Sequence, residues 1–258
     1  MTPKPTIPPD IQALLDPLRA HMQSILGDKL VGLYVYGSLV TGDFNPDISD
    51  LDLFAALRSD LNPDDFTALD AMHNQWAAAH PIWTGRLEIG YLSLHGLQTF
   101  RTEDSPMGNI SPGEPFHMIE AGHLWLTNWY VVRSNGIALY GPPPQDIVPP
   151  ISVDEFQEAV KAHVQGWREW INDVTERRPA QAYAILTLCR ALYTVKNGTQ
   201  VSKLQAGAWA ADQLPQWSTF IHNAIEWRSN WRESVDDAAT LSETRHFVAY
   251  MIDLISGI

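Results

Sequence analysis

Gly37-Ser38, Asp50-Leu51-Asp52 and Glu88 are the residues of this chain whose types and spacing could do chemistry. Aspartates at i and i+2 of an extended segment point to one face. Two carboxylates held together repel unless a cation stands between them. Carboxylate oxygens, phosphate oxygens and water together make a ligand set for Mg2+. A glycine lets the backbone approach a phosphate closely, and the serine after it offers a hydroxyl and an N–H. The set therefore suits metal-assisted chemistry on a phosphorylated substrate. Taken alone, Gly37-Ser38 reads as an ordinary turn and the aspartates as a solvent-facing strand edge. The flanking Leu51, Leu53 and Phe54 argue against that edge. Glu88 joins the set only if its strand lies beside that of Asp52 and in register.

The elements that must position these residues are legible as periodicities. Asp10–Leu26 reads as an opening helix with Ile11, Leu14, Leu15, Leu18 and Met22 near one face. Leu30–Tyr36 is a short apolar run closed by a glycine, a buried strand, and Leu51–Leu57 is a second. Asn62-Pro63 starts a helix running to about Ala78, with Asn as the cap. Arg86–Leu94 alternates and predicts a third strand. Thr102–Pro115, rich in Ser, Pro and Gly, predicts a loop, followed by a Trp-rich helix to about Arg133 and a short edge strand at Ile137–Tyr140. Gly141-Pro142-Pro143-Pro144 and Pro149-Pro150 interrupt any regular element and mark a boundary. Beyond it the pattern is helical. Ser152 with Glu155 forms a capping box, Gln181–Val195 is the most apolar helix, and Ser202 caps a helix ending near Leu214-Pro215. Two more helices are expected over about Gln216–Trp231 and Leu241–Ile255, giving a five-helix bundle.

Composition excludes several classes. A chain of 258 residues that is 45% hydrophobic can bury a core and is not a disordered segment. A formal charge of -13 argues against binding a nucleic-acid backbone by charge. One cysteine, Cys189, allows no internal disulfide. The absence of a long apolar run or an apolar leader predicts a soluble, cytoplasmic protein with no membrane partner. The acidity is uneven: residues 1–150 hold 17 of the 30 acidic residues but only 7 of the basic ones. A solvated surface accounts for this, and so does attraction of a cationic partner. The nine histidines show no zinc-protease spacing, and neither a P-loop lysine motif nor a dinucleotide fingerprint is present.

The stretch VYGSLVTGDFNPDISDLDLFAAL, residues 35–57, resembles the signature of the nucleotidyltransferase superfamily of the DNA polymerase beta type. That signature is Gly-Ser, a spacer, Asp-x-Asp, and a third carboxylate on a later strand. AYAILTLCRALYTVKNGTQVSKLQAGAWAADQLP, residues 182–215, is similar to the helical domain of the streptomycin/spectinomycin aminoglycoside adenylyltransferases. The shared features are Leu186-Thr187-Leu188, Arg190, Tyr193-Thr194 and Lys203. The resemblance runs from about Leu30 to the C-terminus and is weak between Leu97 and Ala180.

The resemblance implies an α/β (α+β) fold, a mixed sheet flanked by helices in a nucleotidyltransferase domain at 1–150, with an all-α bundle at 151–258. It implies AMP transfer from ATP to an aminoglycoside hydroxyl, with pyrophosphate leaving and two Mg2+ ions assisting. Asp50 and Asp52 would hold metal, Glu88 would serve as base and third metal ligand, and Gly37, Ser38, Ser49, Arg190 and Lys203 would meet the nucleotide. Trp227 falls near a nucleotide-contacting aromatic of the family. Read physically, Arg190 is a charge in an apolar helix and needs a partner, either a triphosphate or a carboxylate such as Asp173 or Glu176. Lys203 stands in the first turn of its helix, where the dipole disfavours a cation and a bound phosphate would resolve the conflict. Of the aromatic residues, Trp83, Phe116, Trp125, Trp129 and Trp170 could line a cleft, though packing explains most of the ten tryptophans. Arg177 and Arg178 depart from the family's acidic acceptor-binding positions, which Glu176 keeps in part. ATP and a cationic small molecule are the expected partners of a monomer. The alternatives are a nucleotidyltransferase acting on another small molecule or on a protein, as antitoxin-type relatives do, and a non-catalytic nucleotide-binding homologue.

Overall fold

The computed structural model describes residues 6–230 and 236–258, and the chain divides into two units, 1–150 and 151–258. In the first, α1 (Pro9–Leu26) precedes β1 (Leu30–Val35), and a single turn, α2 (Ser38–Thr41), follows it. β2 (Leu51–Leu57) leads through α3 (Pro63–Ala79) into β3 (Leu87–Ser93) and α4 (Leu94–Thr99). β4 (Ser105–Ile110), β5 (His117–Ala121), α5 (Leu126–Asn135), β6 (Ile137–Tyr140) and α6 (Pro144–Ile147) complete the unit. Asn62 caps α3 reciprocally with Asp65, each side chain taking the other residue's backbone N–H.

The six strands form one mixed sheet in the order β5-β4-β3-β2-β1-β6. Only β2 and β3 are parallel, and α3 is the crossover that a parallel pair requires. Strand alternation sorts the side chains onto two faces. Leu33, Val35, Leu51, Leu53, Leu87 and Ile89 share a buried core with Ile11, Leu15 and Leu18 of α1 and Leu69, Met72 and Trp76 of α3. On the other face Phe54 stacks with Tyr34 and meets Trp129 of α5, with ring centroids 4.8 Å apart in the second pair.

The sequence reading is corrected between Thr102 and Arg133. The expected loop contains β4, and the expected helix begins only after β5. Pro106 and Gly108 suggest a loop but are placed where a strand tolerates them. β3 pairs only with Gly108, Asn109 and Ile110 of β4, so Pro106 lies beyond that ladder. A Cβ on Gly108 would meet Leu61 at 2.7 Å and Phe116 at 2.9 Å, so glycine here admits packing from above the sheet.

His73 of α3 is 3% exposed and shares a 2.9 Å hydrogen bond through Nε2 with the Tyr91 hydroxyl. Among the described residues its Nδ1 meets no partner. Burial pushes its pKa down to about 4 from 6.5. The unfolded chain therefore takes up a proton near pH 6.5 that the native state refuses until about pH 4. The contribution is whole above that window and is lost as pH falls through it, by about 3 kcal/mol at the acid end. Denaturant titrations from pH 7 to 4 should show this acid slope, and His73→Gln should remove it. An unchanged slope in the variant would refute the assignment.

The second unit comprises α7 (Val153–Gln165), the single turn α8 (Trp167–Trp170), α9 (Arg178–Asn197), α10 (Lys203–Gln213), α11 (Ser218–Ser229) and α12 (Ala238–Ser256). The α11 end anticipated at Trp231 lies outside the described residues. α9 is the central helix, with α7, α10, α11 and α12 packed around it. Its Ile185, Leu186, Leu188, Cys189 and Leu192 are buried. Burial pushes the Cys189 thiol well up from its ordinary pKa. Gln181, 0% exposed, is satisfied by the Glu176 carbonyl at 2.8 Å and the Thr244 hydroxyl at 3.0 Å. Among the described residues no helix is long and apolar enough to cross a membrane.

Candidate active site

The β2–β3 register pairs Asp52 with Glu88 directly. Both are half-buried, and both lie on the sheet face that carries Phe54. β1 lies on the other side of β2, and the Tyr36 amide just beyond its end donates to the Asp52 carbonyl at 3.0 Å. Gly37 then turns the chain with φ 69° and ψ -144°. A Cβ at Gly37 would stand 1.8 Å from Asp52 Oδ2, so the carboxylate occupies the space that only glycine leaves open. Ser38 opens α2 directly after this turn.

Asp50 precedes β2 and belongs to a pinned loop. Arg86, just before β3, donates to the Pro46 carbonyl at 2.9 Å and to the Ser49 carbonyl. Its guanidinium lies 4.4 Å from the Trp83 ring, which stacks on Phe44 of the same loop. Burial lowers the Arg86 pKa, and the carboxylates of Asp50 and Asp47 oppose that shift. Ser49 is 4% exposed, and its hydroxyl accepts from the Asn45 amide at 3.0 Å, closing the loop on itself.

Among the described residues no three His, Cys, Asp or Glu side chains converge into a group that could hold a metal ion by themselves. Asp52 and Glu88, paired across β2 and β3, offer carboxylate oxygens of the kind that Mg2+ takes together with substrate phosphates and water. The donor chemistry, oxygen only, fits as well.

Tyr36 was legible in the sequence only as the last residue of an apolar run. It is 8% exposed, and its hydroxyl donates to Glu88 Oε1 at 3.2 Å. Burial first, then the charges of Glu88 and Asp52, raise its pKa well above 10. Its position immediately before Gly37, on the face of Asp52, is the sequence signal that could have singled it out.

The remaining residues lie in the second unit. Arg190 of α9 is half-buried, and its charge, after burial, helps lower the pKa of His163. Lys203 opens α10, with Nζ 3.9 Å from the centroid of the Tyr183 ring. Trp227 of α11 packs edge-to-face on Phe220, with the Arg178 guanidinium 5.4 Å from its ring. Arg178 also pairs with Asp237 at 3.2 Å. Of the other aromatics, Phe116 and Trp129 are buried in the first unit.

Residues 18–78 match the family model of the nucleotidyltransferase domain. Residues 146–253 match that of the aminoglycoside adenylyltransferase C-terminal domain. No curated protein matches the chain. Among solved structures, the chain is similar to the spectinomycin adenyltransferase AAD(9) from Enterococcus faecialis, crystallised with ATP and spectinomycin. The TM-score is 0.76 at 17% identity, over 95% of this chain and 98% of that one. That likeness is one of fold, a mixed sheet with helices joined to a helical domain. With the nucleotidyltransferase domain followed by the aminoglycoside adenylyltransferase C-terminal domain, the chain belongs to the aminoglycoside adenylyltransferases of the nucleotidyltransferase superfamily.

Proposed function

We propose that this enzyme transfers AMP from ATP to a hydroxyl of an aminoglycoside of the streptomycin–spectinomycin kind, releasing pyrophosphate. The observation that carries the reading is the register pairing of Asp52 with Glu88 beside the Gly37 turn. Asp50 and Asp52 would hold Mg2+, the remaining positions being filled by phosphate oxygens and water. Mg2+ bound there would offset charge on the reacting phosphate oxygens.

Glu88 would accept the proton of the acceptor hydroxyl as that oxygen attacks the α-phosphorus. Its neighbours make it a carboxylate held in place at one oxygen by Tyr36, which suits a base that must meet its substrate in one orientation. Gly37 would let phosphate oxygens approach the backbone, and Ser38 and Ser49 would supply hydroxyls. Arg190 and Lys203 supply positive charge for the triphosphate, and Trp227 an aromatic face for the nucleotide. The surplus of acidic residues in 1–150 would raise the encounter rate with a polycationic acceptor.

Purified protein with ATP, Mg2+ and spectinomycin or streptomycin should release pyrophosphate and form an AMP-modified drug, resolved by mass. Nucleotide transfer to some other acceptor with none to any aminoglycoside would overturn the acceptor assignment and leave the transfer chemistry standing.

A further inference from the structure

Three side chains beyond the proposed metal and phosphate ligands, Thr127, Asn128 and Tyr36, stand in line toward Glu88. The Thr127 hydroxyl donates to Asn128 Oδ1 at 3.3 Å. The Asn128 side chain stands beside the Tyr36 hydroxyl. That hydroxyl donates to Glu88 Oε1 at 3.2 Å. Asn128 lies on α5, Tyr36 at the end of β1 and Glu88 on β3, so the line joins a helix to two strands separated by β2. Adjacent strands are about 4.8 Å apart, and the long phenol side chain reaches over β2 to β3 on the face that holds Asp52.

We propose that this relay positions the Glu88 carboxylate for proton abstraction, with Tyr36 as the positioning residue. The inference rests on the adenylyltransferase reading above. Its logic is one of donors and acceptors. A phenol has one proton to give. Tyr36 gives that proton to Glu88 Oε1, the bond the proposal stands on. The hydroxyl proton is directed to Glu88, with the Asn128 side chain beside the phenol oxygen. The Asn128 oxygen is in turn held by Thr127, which fixes the amide's orientation. A carboxylate so held keeps one rotamer on a face where it would otherwise swing away from the like charge of Asp52.

Tyr36→Phe removes the hydroxyl and keeps the ring. Its kcat should fall about tenfold, while KM for ATP and for the acceptor stays within about twofold, because the lost bond orients a base and does not bind either substrate. Asn128→Ala should lower kcat by a smaller factor, and it should add nothing when placed on Tyr36→Phe. An unchanged kcat in Tyr36→Phe overturns the proposal. So does a loss confined to KM for ATP, or an Asn128→Ala effect that is undiminished without the phenol hydroxyl.

A second readout needs no turnover. The shifts in thermal midpoint for Tyr36→Phe and Glu88→Gln should be non-additive in the double variant. Additive shifts overturn the contact itself. If the native chain modifies no acceptor at all, the functional reading fails, and this thermal cycle still decides whether Tyr36 and Glu88 are coupled.

Discussion

Asp52→Asn should abolish turnover and leave the chain folded. Asparagine has the shape of aspartate, so it still fits against the bare backbone of Gly37, where no Cβ could stand. It removes one of two carboxylates paired across β2 and β3. Losing that like-charge neighbour relieves repulsion, so the thermal midpoint should hold or rise slightly. Catalysis should fall about a thousandfold or more, because a neutral amide is a poor ligand for the Mg2+ that offsets phosphate charge. Pyrophosphate release at saturating ATP measures the rate, and circular dichroism on heating measures the fold. Turnover within tenfold of the native rate would remove Asp52 from the metal site.

Gly37→Ala should cost both stability and activity, for two separable reasons. The backbone at φ 69° and ψ -144° lies in a region that is essentially glycine-only, and an alanine forced there costs of order 1–3 kcal/mol. The new methyl would also stand 1.8 Å from Asp52 Oδ2, so the carboxylate must leave its place. A displacement of that kind in a reacting group should lower kcat about a hundredfold even in the fraction that folds. Gly42 is the control. It has φ 81°, and a Cβ there meets nothing within 4 Å. Gly42→Ala should cost about 1 kcal/mol of backbone strain and leave kcat unchanged. Equal kcat losses in the two variants would show that loop strain, not collision with Asp52, governs activity.

Much of the sheet was legible in the chain because its strands are short apolar runs ended by turn residues. Leu51–Leu57 in the sequence is β2 residue for residue, and Asn62-Pro63 marks the start of α3. β4 and β5 were not legible. Pro106 and Gly108 carry loop chemistry, and what licenses them in a strand is a register with β3 and packing above the sheet by Phe116 and the distant Leu61. The site divides the same way. Gly37, Asp50 and Asp52 stand close along the chain, so their spacing was readable. Tyr36 and Glu88 are 52 residues apart, and a hydrogen bond over that distance leaves no periodicity. Arg86 was likewise invisible as the residue that ties the Asp50 loop down, because its acceptors are backbone carbonyls, which every residue has.

Cys189 makes the helical unit its own gauge. It is the only thiol in the chain, and it sits in the middle of α9 with no surface exposed. A thiol reacts as its thiolate, and burial has raised this one far from ionisation. A maleimide can therefore reach it only when α9 leaves its neighbours. The pace of alkylation under native conditions then counts the openings of residues 151–258 one molecule at a time. Residues 1–150 carry no thiol, so labelling reads the helical unit while the His73 acid slope reads a group of the first.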